Sequence, residues 1–275
     1  MSLQPAGTTA SADRPIGVFD SGVGGLSVLN ALQAAMPHER FVYFADTAHA
    51  PYGERSEDYV AQRTRAVAQQ LIAEHGIKAL VVACNTATAA AVHMLRADHP
   101  MLPLVGVEPA LKPAVARSRT KHIAVLATRG TLASRKFEAL HASLTGQARF
   151  SLVPCDGLAG AIESSDATKI IALCADYTGA AGTFGIEDSE IDTLVLGCTH
   201  YPFVAEELRR HTGDAVQFID TGAPVAQQTR RLLTQAGQLA DDGPGGVRLQ
   251  SSGSLASLEA AAARWLAAPA ALAVA

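Results

Sequence analysis

The sequence predicts an α/β fold of two pseudo-symmetric, doubly wound lobes with mainly parallel sheets, meeting at a cleft. Three observations predict it. Short apolar runs alternate with helix-like stretches along the chain. Several of those runs are continuous and β-branched, the pattern of parallel strands covered on both faces. The two halves also repeat each other: "IGVFDSGVGGLS" from Ile16 matches "IAVLATRGTLAS" from Ile123, and "VVACNTAT" matches "LVLGCTHY".

Taken in order, residues 1–13 ("MSLQPAGTTASAD") read as a disordered extension. Strands are expected at 16–20, 41–46, 77–83 and 102–107, then at 122–128, 148–154, 192–197 and 215–220. A helix over 56–75 is well specified. Val60, Val67, Leu71 and Ile72 share one face, Glu57 and Asp58 stand in the first turn, and Gly76 stops it. A last helix carrying Leu255, Leu258, Ala262, Trp265 and Leu266 is expected to return to the first lobe. The first lobe is then 14–108 with 222–275, and the second is 109–221.

With 275 residues, 48% hydrophobic and 17% charged, the chain is long enough for about two globular domains. A net charge of -4 provides no basic face, so no nucleic-acid partner is expected. No apolar run reaches the roughly 18 residues of a membrane helix, and the tail "AAPAALAVA" (267–275) is short and interrupted by Pro269, so no membrane partner is expected either. The start has neither a basic segment nor an apolar core, so the expected location is the cytoplasm. Cys84, Cys155, Cys174 and Cys198 show no C-x-x-C spacing, which argues against metal knuckles and thioredoxin-type redox pairs and for free thiols.

Two stretches, "LVVACNTAT" (80–88) and "LVLGCTHYP" (194–202), each run an apolar strand into a cysteine where a helix should begin. A thiol there meets the first helical N–H groups and the positive end of the helix dipole, both of which favour thiolate. Pro202 suits a first helical turn, which puts Cys198 at a helix start, and His200 can assist it by proton exchange or by charge. A single cysteine ending a strand is more often a packing residue. Two in matching contexts, at the carboxyl edges of two sheets, point instead to a cleft lined by two thiols. Cys155 and Cys174 lack that context and read as packing residues.

"DSGVGGLS" (20–27) follows the first strand, and Gly22, Gly24 and Gly25 permit a tight turn with close backbone approach to a ligand. A dinucleotide site is one reading, although Ser27 stands at the third glycine position and Asp20 sets a negative charge beside any pyrophosphate. A thiol-redox or carboxylate-binding protein is another. "ADTAHAPYGERS" (45–56) is a polar loop whose turn residues, Pro51 and Gly53, would bring Tyr52 to the cleft; on spacing alone it reads as a surface loop.

Six motifs, "GVFDSGVGGLSV", "YFADTAHAPYGERS", "VVACNTATAAAV", "VGVEPALKPAV", "LVLGCTHYP" and "FIDTG", run in order from residue 17 to 222. Through them the chain resembles the glutamate racemases of the cofactor-independent aspartate/glutamate racemase superfamily. The resemblance implies interconversion of L- and D-glutamate by two-base proton transfer, with no cofactor and no metal, by a homodimer that supplies D-glutamate for peptidoglycan. It implies Cys84 and Cys198 as the two acid/base residues, Asp20 assisting Cys84, and His200 with Glu163 of "CDGLAGAIE" (155–163) assisting Cys198. The wording around Glu163 departs from the family's usual one. Asp20, Ser21, Tyr52, Gly53, Asn85, Thr86, Thr199 and His200 are implied to hold the substrate. Aspartate racemases share "CNT" and "GCTHYP" in outline, and the first two motifs favour glutamate. Inversion needs proton removal on one face and delivery on the other, so one base on each lobe is an economical geometry. Among the motifs only Arg55 offers an arginine to the substrate's carboxylates.

Overall fold

The computed structural model describes residues 11–266. Its strands are β1 (Ile16–Asp20), β2 (Arg40–Ala45), β3 (Ala79–Val82), β4 (Leu104–Gly106), β5 (His122–Ala127), β6 (Arg149–Pro154), β7 (Thr193–Gly197), β8 (Gln217–Ile219) and β9 (Gly246–Ser251). They form two wholly parallel sheets, ordered β4-β3-β1-β2-β9 and β6-β5-β7-β8. β1, β3 and β7 are buried along their whole length, which is why their sequences are apolar without alternation. Separate apolar clusters fill both faces of each sheet.

β9, "GVRLQS", was not among the expected strands. It lies at the edge of the first sheet, partly exposed and, among the described residues, paired only with β2, from Arg40↔Gly246 to Ala45↔Ser251. An edge strand needs one partner and tolerates Arg248 and Gln250, so it carries no apolar run to betray it. The expected Glu57–His75 helix is present. Ser56 Oγ accepts from the Tyr59 amide, and Gly76 ends the helix at φ 54° in the left-handed region.

The expected disorder through residue 13 does not hold for Ser11–Asp13, which form a 3₁₀ turn. The cause is Lys78. Its ammonium, buried beside β3, pairs with Glu39 at 2.6 Å and donates to the carbonyls of Ala12 at 2.6 Å and Gln238 at 2.8 Å. A buried lysine must find such partners, and here they fasten the chain start to the body. Residues 1–10 and the 267–275 tail lie outside the described residues. The last helix, Leu255–Trp265, buries Leu258 and Ala262 in the first sheet's core and leaves Leu255 exposed. Trp265 packs against the same core and also stacks on Phe203, beyond β7, with centroids 4.5 Å apart. No helix among the described residues is long and apolar enough to cross a membrane.

This topology fixes where a ligand can bind. From β1 the chain steps to β2 on one side and then to β3 on the other; from β5 it steps to β6 and then to β7. A crevice opens at the carboxyl ends of strands where the winding direction switches. Asp20 and Cys84 end or follow β1 and β3, and Thr128 and Cys198 follow β5 and β7, so both crevices open into one cleft.

Candidate active site

The first thiol is built by two strand ends. Cys84 caps the Asn85–Asp98 helix, its sulfur accepting from the Ala87 amide at 3.5 Å. Ser21 Oγ stands 3.7 Å from that sulfur and donates to Asp20 Oδ1 at 3.2 Å, so one hydroxyl links carboxylate to thiol. Asp20 Oδ1 also accepts the Ser21 amide at 2.6 Å, and its Oδ2 accepts Thr199 Oγ1 from the opposite sheet at 3.2 Å. Burial pushes the Cys84 thiol well up, and the nearby Asp20 charge adds to it. Burial raises Asp20 as well, with His200 working against the rise and Glu163 with it.

The second thiol differs from the expectation. Cys198 does not start an α-helix: Tyr201–Val204, with Pro202, is a 3₁₀ turn, and the helix begins at Ala205. Cys198 Sγ instead meets His200 Nδ1 at 3.6 Å, and His200 Nε2 meets Glu163 Oε1 at 2.6 Å. Burial alone would lower His200, but its hydrogen bonds to Cys198 and Glu163 hold it well above the usual imidazole value. Burial likewise works to raise Glu163, and His200 with the Val23 amide holds it below the usual carboxylate range. The pair is therefore an imidazolium and a carboxylate, and an imidazolium donates from both nitrogens, one of them toward Cys198.

The glycine loop serves this pair. The Val23 amide donates to Glu163 Oε1 at 2.7 Å. A Cβ at Gly22 would fall 1.8 Å from that same oxygen, and one at Gly24 would fall 2.3 Å from His200 Nδ1. The glycines thus make room for side chains from the other sheet, and an amide suited to a phosphate holds a protein carboxylate. The dinucleotide reading of this loop loses its anion position.

Between the thiols lies a cleft of about 640 Å3 counted out to its mouth. Every expected site residue lines it: Asp20, Ser21, Tyr52, Gly53, Cys84, Asn85, Thr86, Glu163, Cys198, Thr199 and His200. The 45–56 stretch is a wall of the cleft and not a surface loop at Tyr52, which is buried against Phe19 and donates to Asp46. Asn85 is buried, and neither its amide nitrogen nor its oxygen has a partner among the described residues, which a polar ligand in the cleft would remedy.

Arg55 is not in the cleft wall; its guanidinium lies over the Tyr59 ring, 5.5 Å from the centroid. The lining arginine is Arg129, paired with Asp156. Sequence reasoning missed both, along with Thr128, whose hydroxyl stands 3.2 Å from that of Thr86 across the cleft. The internal repeat carried a signal for Thr128, because "IAVLAT" puts it at the position of Ser21 in "IGVFDS". Cys155, read as a packing residue, is buried but does line the cleft, its thiol pushed up by burial. Cys174 sits in the core, pushed up to about 12.

Residues 24–229 match the family model described as Asp/Glu/Hydantoin racemase. The chain belongs to that racemase family. A glutamate racemase of Ralstonia pickettii is 45% identical over 260 residues, 94% of this chain and 90% of that protein. Among solved structures, a glutamate racemase isoform of Bacillus anthracis superposes with TM-score 0.80 at 31% identity, covering 92% of this chain and 93% of its own. The glutamate racemase of Francisella tularensis, in complex with D-glutamate, superposes with TM-score 0.78 at 26% identity, covering 93% and 94%. This racemase-family chain has the α/β fold and parallel sheets that its sequence implied.

Proposed function

We propose that the protein interconverts L- and D-glutamate by cofactor-independent proton transfer between Cys84 and Cys198. The observation that carries the reading is that two thiols, following matching strands of two sheets, line one cleft, each wired to its own carboxylate. Its relatives bearing the glutamate racemase name, one of them crystallised with D-glutamate, supply the substrate.

One sulfur, as thiolate, takes the α-proton; the C–H pair stays on Cα, and the opposite thiol delivers its proton to the other face. The two sulfurs exchange protonation states in each turnover. Burial and Asp20 keep Cys84 protonated at rest, while the His200 imidazolium faces Cys198 with a donor. In one direction Cys198 removes the proton and the Cys84 thiol delivers one, and in the other direction the roles are exchanged. Ser21 lets Asp20 take or return the Cys84 proton, since its single hydroxyl hydrogen can face either partner. The carbanion is the costly species. The Asn85 side-chain amide, Thr86 and Thr199 would hold the α-carboxylate and amine and so stabilise the charge that develops there. By the same resemblance the reading extends to a cytoplasmic homodimer that supplies D-glutamate for peptidoglycan.

The test follows L-glutamate in D2O without added cofactor, recording optical rotation and α-proton loss together. Loss of rotation with deuterium in the product, stopped by a thiol alkylator, is expected. The absence of both exchange and inversion would overturn the reading.

A further inference from the structure

The cleft's charge balance poses a problem for a dicarboxylate. Asp20, Glu54, Asp156 and Glu163 line it, against Arg129 and His200. His200 is already committed to Glu163 and Cys198. Among the described residues Arg129 is the remaining lining cation, and it stands at the mouth, its side chain 65% exposed and that of Asp156 48% exposed.

The bond between these two is unlike the other arginine–aspartate pairs described. Arg63 meets Asp46 fork to fork, Nε to Oδ2 at 3.1 Å and a terminal nitrogen to Oδ1 at 2.8 Å. Arg65 meets Asp98 the same way, at 2.7 Å and 2.7 Å. Arg129 directs both its Nε, at 3.2 Å, and a terminal nitrogen to the single oxygen Oδ2 of Asp156. A guanidinium fork matches a two-oxygen carboxylate, so this pair leaves its better geometry unused. Exposed ion pairs of this kind are held only weakly. Thr128 and Gly130, on either side of Arg129, pack against Gly53: a Cβ at Gly53 would lie 3.0 Å from Thr128 Cβ, and one at Gly130 would lie 3.2 Å from the Gly53 carbonyl. The arginine is thereby fixed at the meeting of the two sheets' loops.

We propose that Arg129 is a specificity-determining residue that receives the substrate's side-chain carboxylate by exchanging Asp156 for it. Asp156 competes with the ligand and holds the arginine between turnovers. This rests on glutamate being the ligand, as proposed above. It makes two neighbouring residues act in opposite directions, which a merely structural latch does not.

The experiment measures binding of D-glutamate and of D-glutamine, the same length without the distal charge, by calorimetry to the wild type, Arg129→Ala and Asp156→Asn, with racemisation assayed in parallel. Arg129→Ala is expected to weaken D-glutamate about tenfold and to narrow its preference over D-glutamine. Asp156→Asn is expected to tighten D-glutamate by about threefold and to widen that preference. Arg129→Lys, which keeps the charge and loses the fork, should fall between. Equal discrimination in wild type and Arg129→Ala, shifts of the same sign in both variants, or no D-glutamate binding by the wild type would overturn the proposal. Binding with these opposed shifts but no racemisation would support it while removing the catalytic reading.

Discussion

One oxygen of Glu163 lies 2.6 Å from His200 Nε2 and 2.7 Å from the Val23 amide, so a single carboxylate atom is gripped from both sides of the cleft. Val23 belongs to the loop after β1, and His200 to the loop after β7. The contact that orients the Cys198 partner is therefore also a contact between the two halves, and it can be tested as each.

Gly22 isolates it. The atom a Cβ at Gly22 would strike is the tip of a flexible side chain, so Gly22→Ala should fold normally while driving Glu163 off the Val23 amide. Its loss of kcat is expected to match that of Glu163→Ala, roughly tenfold to a hundredfold, and the double variant should lose no more than either alone. Steady-state kinetics of the three proteins, with melting curves as the fold control, would decide it. A Gly22→Ala enzyme with wild-type kcat would show that the Glu163 position is immaterial.

The same pair sets a pH dependence. His200 is raised in the folded state, so its contribution to stability is complete below about 6.5 and is lost as pH rises through the raised value. Glu163 is lowered, so its contribution is complete above about 4.5 and is lost as pH falls through the lowered value. The Tm difference between wild type and Glu163→Gln should thus be largest between about pH 4.5 and 6.5. Gln can still accept from Val23. Without the carboxylate the imidazolium loses its proton at lower pH, so the alkaline limb of kcat/KM should move down in Glu163→Gln; an unmoved limb would separate His200 from the reaction.

Ser21→Ala removes the hydroxyl between Asp20 and Cys84 and leaves the Cys198 side untouched. Proton transfer at Cys84 should become rate-limiting, with kcat down about tenfold and KM nearly unchanged. Substrate deuterated at Cα should then show a larger isotope effect in the direction in which Cys84 removes the proton. Equal isotope effects in both directions would argue that the hydroxyl only binds substrate.

Cys84→Ser and Cys198→Ser should each lower racemisation by about 10³-fold or more. Each variant should retain α-proton exchange only with the enantiomer that faces its remaining thiol. Near wild-type turnover in both would contradict the two-base scheme.

Lys78→Met is a stability test away from the cleft. It leaves Glu39 buried without its counter-charge, which costs about 3 kcal/mol or more, and frees the chain at Ala12. Denaturant unfolding should show that loss, and proteolysis should open first at the amino terminus.

The parallel sheets, the repeat and the two thiols are legible in the sequence alone. Each is written locally: buried central strands need unbroken apolar runs, and a ligand edge needs its cysteine directly after one. What stands opposite them depends on how the folded halves meet. β9 was hidden because an edge strand with one neighbour needs no apolar pattern, and Lys78 because its burial depends on Glu39, Ala12 and Gln238, which are far from it in sequence. The different supports of the thiols, an N-cap amide for Cys84 and an imidazolium for Cys198, follow from a 3₁₀ turn that Pro202 alone did not specify. Arg129, Asp156 and the task of Gly22 were likewise out of reach. Charge pairing and room for a Cβ are properties of which surfaces meet, and residues distant along the chain meet only once both sheets are folded and docked.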